Sequence, residues 1–152
     1  MPASPQKIRF FYNGLRFSFN QRNRIKEFFE KVLRNEGKTV GSINYIFCRD
    51  DELRLLNYHY LKHNYYTDIL TFDLSLSKKE VIAEIFISIP RVKDNAKLFG
   101  SSFSKELHRV MIHGLLHLCG YNDKTVVQIK RMRTMEEKYL LQLGFPFHVK
   151  RV

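Results

Sequence analysis

Residues 110–123 read Val110-Met-Ile-His113-Gly-Leu-Leu-His117-Leu-Cys-Gly120-Tyr-Asn-Asp123. Two imidazoles sit four positions apart in a segment that is otherwise almost wholly apolar. Four residues is about one helical turn, so both rings project from one face of a helix built into the core. Gly120 supplies the left-handed residue that ends such a helix and lets the chain turn back. That turn carries Asp123 toward the rings. Two ring nitrogens and a carboxylate oxygen around an open fourth position are the donor set of a catalytic zinc site. His113, His117 and Asp123 are therefore the expected ligands of one Zn²⁺ ion.

A plainer reading makes the pair structural, each ring bonded to a main-chain carbonyl. Two buried imidazoles then need two partners, and an unsatisfied buried polar group costs about 1–3 kcal/mol. The glycine three residues after His117 and the aspartate six after it favour the metal. Asp123 also reads as a plain helix-start residue ahead of Thr125. Cys119 is an alternative donor, although two positions past His117 it should point off the imidazole face.

Working outward, Lys7–Tyr12 is rich in strand formers and Asn13-Gly14 marks a turn, after which Leu15–Phe19 returns as a short strand. Asn20 caps a helix with Ile25, Phe28, Phe29, Val32 and Leu33 at helical spacing, closed by Gly37. Ser42–Cys48 is a strand, and Asp50 or Asp51 caps a helix carrying Leu53, Leu56 and Tyr60. The run Lys62-His-Asn-Tyr65-Tyr66 is a loop. Asp68–Leu74 and Val81–Ile89 are spaced as an antiparallel hairpin. Pro90 opens a helix to Phe99, and Ser102 or Ser104 caps the histidine helix. Thr125 and Gln128 form a capping box for a last helix with Ile129, Met132, Tyr139, Leu140 and Leu143 inward, stopped at Gly144-Phe-Pro146. The expected fold is α+β: one domain over residues 1–152, a mixed four-stranded sheet with about five helices, and the metal site on a central helix and the turn after it.

The 152 residues suffice for one real core, and 44% hydrophobic with 27% charged residues is a globular composition. No apolar run reaches membrane-span length and the N-terminus has no signal-peptide core, so a cytoplasmic protein without a membrane partner is expected. Cys48 and Cys119 are too few for a disulfide scaffold. A net charge of +11 attracts polyanions, and beside a hydrolytic metal it points to phosphodiester chemistry on nucleic acid.

A helical His-x-x-x-His with a third ligand beyond a glycine is also the metzincin peptidase spacing, in which a glutamate after the first histidine acts as general base. Here that residue is Gly114, which holds no proton and hints at close packing or ligand approach. A metzincin-like metallopeptidase is the weaker alternative.

His-Gly-Leu-Leu-His-Leu-Cys-Gly-Tyr resembles the signature of the YbeY family of ribosomal-RNA maturation endoribonucleases. Leu56-Asn57, Tyr60, Thr67-Asp-Ile-Leu-Thr-Phe72 and Ala83-Glu-Ile-Phe-Ile-Ser88 resemble further blocks of that family, in order and spacing, across nearly the whole chain. The resemblance implies a zinc-dependent, single-strand-directed endoribonuclease in small-subunit rRNA processing and ribosome quality control. It implies RNA of the small ribosomal subunit as partner, with ribosomal proteins or an assembly GTPase alongside. It places His113, His117 and Asp123 at the three metal-ligand positions. Two departures stand out. Asp123 occupies the place of a usual histidine, which lowers the site's charge by one and makes it more tolerant of harder ions such as Mn²⁺. Leu61 then Lys62 occupy the place of a usual arginine, so Lys62 would contact phosphate as a point charge.

Lys62 and Arg91 are the chosen RNA-binding residues. Lys93, Lys97, Lys105 and Arg109 are further cations for the backbone, and Tyr65 and Tyr66 are candidates to stack on bases. No catalytic acid or base is assigned; RNA brings its own 2′-hydroxyl as nucleophile. A non-catalytic ribosome-assembly factor with a structural metal is the remaining alternative.

Overall fold

Alternation of apolar and polar residues builds the sheet. In the computed structural model, which describes residues 6–15, 17 and 21–145, the strands are β1 (Ile8–Tyr12), β2 (Thr39–Cys48), β3 (Ile69–Asp73) and β4 (Glu80–Ser88). Their order is β1-β2-β4-β3, with β1, β2 and β4 parallel and β3 antiparallel on the edge beside β4. Ile43, Tyr45 and Phe47 of β2 and Val81, Ala83, Ile85 and Ile87 of β4 form one buried face. β2 starts three residues earlier than expected, across a bulge at Gly41, where a Cβ would lie 2.9 Å from the Glu80 side chain.

The helices are α1 (Arg22–Asn35), α2 (Asp50–Leu61), α3 (Ile89–Leu98), α4 (Phe103–Leu118) and α5 (Val126–Leu143). The expected α+β class with a mixed four-stranded sheet and five helices is thus what the described residues form. α1 lays Ile25, Phe29, Val32 and Leu33 on the main core, together with the apolar side of α4. On the other sheet face, α2 covers a smaller cluster in which Leu53 and Leu56 meet Cys48, Leu70, Phe72 and Phe86. α4 therefore lies between the sheet and α5.

Several local expectations need correction. Gln21, in a left-handed conformation and without a side-chain cap, precedes α1; Asn20 lies outside the described residues. Leu15 and Phe17 form no strand, and the rest of that segment falls outside the description. Arg49 holds the cap position of α2, so Asp50, Asp51 and Glu52 sit in its first turn, where they complement the helix dipole. Ile129 is largely exposed, since the inward stripe of α5 begins only at Met132. Ser88, Ser102 and the Thr125–Gln128 capping box each accept the backbone N–H three residues on, capping α3, α4 and α5.

Candidate metal centre

Helix α4 is the most deeply buried helix, with Leu107, Val110, Met111, Ile112, Leu115 and Leu116 in the core. The hydroxyl of Tyr45 on β2 donates to the carbonyl of Met111 at 2.9 Å, which pins the helix to the sheet. Gly114 allows its close approach: a Cβ there would stand 3.0 Å from Ile69 Cδ1 and 3.3 Å from both Ile85 Cδ1 and Thr71 Oγ1. A glutamate at this position would be driven into β3 and β4, so the peptidase alternative lacks both its base and the room for one.

The C-terminus of α4 closes in a Schellman motif. Gly120, with φ 98°, donates to the His117 carbonyl, and Tyr121 N–H donates to the Leu116 carbonyl at 3.0 Å. Tyr121 then anchors the turn by donating from its hydroxyl to Glu36 at the end of α1, at 2.6 Å; Tyr139 of α5 donates to the other Glu36 oxygen at 2.7 Å. Asp123 is thereby carried back over the helix.

Three donor atoms converge. His113 Nε2 and His117 Nε2 lie 2.9 Å apart, and Asp123 Oδ2 is 3.3 Å from each. Each ring is held from behind: Nδ1 of His113 faces Glu136 Oε2 at 2.7 Å, and Nδ1 of His117 faces the Tyr121 carbonyl at 2.9 Å. Carboxylate and carbonyl oxygens only accept, so each Nδ1 is the donor to its partner, and in a neutral ring Nε2 then turns its lone pair inward. With both rings neutral, two lone pairs and a carboxylate oxygen meet with no hydrogen among them, an arrangement that a cation held between them would stabilise. Tetrahedral zinc with bonds of about 2.0–2.1 Å sets its ligand atoms roughly 3.3 Å apart, close to the observed triangle. The Asp123 side chain is 40% exposed, so the remaining side opens to solvent. The donors fit a metal ion with a vacant coordination position.

The structure thus brings His113, His117 and Asp123 together as the only group of this kind among the described residues. Asp123 precedes the true cap, Thr125, and its carboxylate faces the rings. Cys119 is outside the cluster, and burial pushes its thiol up to about 12.

Two residues that sequence reasoning passed over complete the centre. Glu136 is 1% exposed and accepts from both His113 and Arg109, whose Nη1 is 2.9 Å away. Burial works to raise the Glu136 carboxyl, yet His113 and Arg109 together hold it below the ordinary carboxylate range. Glu106, on the same helix as Arg109, receives the rest of the guanidinium fork. The available signal was a charged residue on the inward stripe of α5, Met132–Glu136–Tyr139–Leu143.

The expected RNA-binding residues lie elsewhere. Lys62 is exposed, in a left-handed conformation at the C-terminus of α2. Arg91, at the start of α3, is half-buried: Nε and Nη2 donate to the two oxygens of Asp50 at 3.3 and 2.7 Å, and the guanidinium stacks on Tyr66. Tyr66 lies between Arg91 and Arg54, each 5.0 Å from its ring centre. Tyr65 stacks on His63 and remains exposed. Arg109, expected among the phosphate-binding cations, is instead held between Glu106 and Glu136.

The family model described as Endoribonuclease YbeY matches residues 13–144. The chain belongs to the YbeY family. It is 44% identical to the endoribonuclease YbeY of Cytophaga hutchinsonii over 89% of this chain and 94% of that one. It is 41% identical to the endoribonuclease YbeY of Flavobacterium johnsoniae over 88% of this chain and 92% of the other. The solution structure of a Thermotoga maritima protein superposes with a TM-score of 0.61 at 28% identity, covering 90% of this chain and 91% of that one. No helix among the described residues is long and apolar enough to cross a membrane.

Proposed function

We propose that this chain is a zinc-dependent endoribonuclease, one domain over residues 1–152, that cleaves single-stranded RNA in the cytoplasm during small-subunit rRNA maturation and ribosome quality control. The observation that carries the reading is the convergence of His113 Nε2, His117 Nε2 and Asp123 Oδ2 in a member of a family named for endoribonuclease activity. Held by these three, zinc supplies a Lewis acid able to take up charge developing on a phosphodiester.

The chain's own residues hold and shape the substrate. Lys62 presents an exposed ammonium for a backbone phosphate, and Arg91 offers what its pairing with Asp50 leaves open. Tyr65, already paired with His63, extends an aromatic face for an unpaired base. Asp123, an anionic donor in place of a neutral one, leaves the centre less positive and more tolerant of Mn²⁺. The 2′-hydroxyl of the RNA is the simplest nucleophile, since no side chain is assigned as base. Ribosomal proteins or an assembly GTPase are the expected protein partners.

Metal analysis of the wild type beside Asp123→Ala tests the site: near one zinc per chain is expected, falling sharply in the variant. A single-stranded RNA oligonucleotide should be cut by the wild type and spared by His113→Ala and His117→Ala purified in parallel. Equal cleavage by all three preparations would sink the assignment. RNA binding without cleavage under any divalent cation would make the protein an assembly factor with a structural metal, a reading that the missing arginine at Leu61 favours.

A further inference from the structure

His113 has a partner of a kind that His117 lacks. Behind His117 stands a neutral main-chain carbonyl, whereas behind His113 stands the Glu136 carboxylate at 2.7 Å, buried and carried on a different helix. Glu136 is not isolated. Its second oxygen accepts from Arg109 Nη1 at 2.9 Å, and Arg109 donates from Nε and Nη2 to Glu106 at 2.6 and 2.9 Å. Glu106 and Arg109 lie on α4 and Glu136 on α5, so the three charges form a clamp across the interface of those helices.

We propose that Glu136 is the positioning residue of the metal centre. It fixes the His113 proton on Nδ1, keeps the Nε2 lone pair aimed at the cation, and makes metal affinity depend on α5 being docked against α4. A free histidine favours the proton on Nε2, the atom that must be bare to bind metal. A carboxylate behind the ring reverses that preference and strengthens the opposite nitrogen as a donor. A buried carboxylate alone would be costly, and Arg109 offsets that cost. Arg109 bridges Glu106 and Glu136, the exposed Arg133 adds a longer contact to Glu136 Oε1 at 3.6 Å, and the other Glu136 oxygen is the one that faces His113. This rests on the metal reading of the three converging donors.

Two measurements test it. In metal-free wild type, ¹⁵N-edited NMR of the imidazoles should place the His113 proton on Nδ1. Competition against a chromophoric chelator should show Glu136→Gln, checked for folding by circular dichroism, binding zinc about 10- to 100-fold more weakly than the wild type. The tautomer measurement needs no substitution, so a variant that fails to fold leaves it decisive. A proton on Nε2 of His113 in wild type that does take up zinc overturns the proposal alone, as does a folded Glu136→Gln protein with zinc affinity within twofold of wild type. Wild type that takes up no zinc overturns the metal reading and the proposal together.

Discussion

The main-chain carbonyl of Tyr121 accepts from Nδ1 of His117 at 2.9 Å. The residue just past the glycine of the α4 cap thus orients a ring carried one turn earlier, and two residues later the same segment delivers Asp123. Cap, ring and carboxylate form one mechanical unit.

Substituting the glycine of that cap should disturb all three. Gly120 has φ 98° and a Cβ there would meet nothing within 4 Å, so the cost of Gly120→Ala is one of backbone conformation alone. A loss of about 1–2 kcal/mol in stability is expected from forcing an L-residue into this region, together with weaker zinc binding. Urea unfolding and chelator competition on the same preparation check both; loss of stability with unchanged zinc affinity would uncouple the cap from the site.

Gly114 should behave differently, because its constraint is space. Alanine gains up to roughly 1 kcal/mol of helix propensity but meets the side-chain ends of Ile69, Ile85 and Thr71 at 3.0–3.3 Å. Those ends can shift by a few tenths of an ångström, so Gly114→Ala should lie within about 1 kcal/mol of wild type. Gly114→Leu should lose about 1–3 kcal/mol by overpacking. Urea midpoints of the two variants give the comparison.

His108 should make the fold sensitive to mild acid. It is buried, its Nδ1 faces the Ser104 carbonyl at 2.6 Å, and burial holds its pKa below the ordinary value of 6.5 against the raising effect of that bond. The unfolded chain takes up the proton first as pH falls, so the contribution is full above 6.5 and declines below it. The urea midpoint should drop from pH 8 to pH 5 by less in His108→Gln than in wild type. Equal slopes would refute the assignment.

The Cys48 thiol should be inert in the native state. Burial, with Glu52 and Asp50 nearby, pushes it up to about 12, so at pH 8 roughly one molecule in ten thousand carries the thiolate. In a Cys119→Ser background, reaction with a thiol reagent should be negligible until denaturant is added. Prompt labelling of folded protein would show that the strand end opens locally.

What the sequence determined was local. The four-residue spacing of His113 and His117, the Gly120 turn, the Thr125–Gln128 box and the β3–β4 hairpin each depend on interactions within a few residues, and each stands in the structure. The slips at Gln21 and Arg49 arose because neither residue caps its helix with a side-chain bond, so the stronger capping types beside them, Asn20 and Asp50, drew the expected boundary.

Tertiary structure decided what crosses elements. Glu136 reaches His113 from 23 residues away, Glu36 ties Tyr121 and Tyr139 to the end of α1, and Arg109 turns inward to Glu106 and Glu136, away from RNA. Sequence spacing carries helical period and turn chemistry, which are short-range. Which buried charge meets which depends on how α5 settles against α4, and that is set by the packing of the whole core.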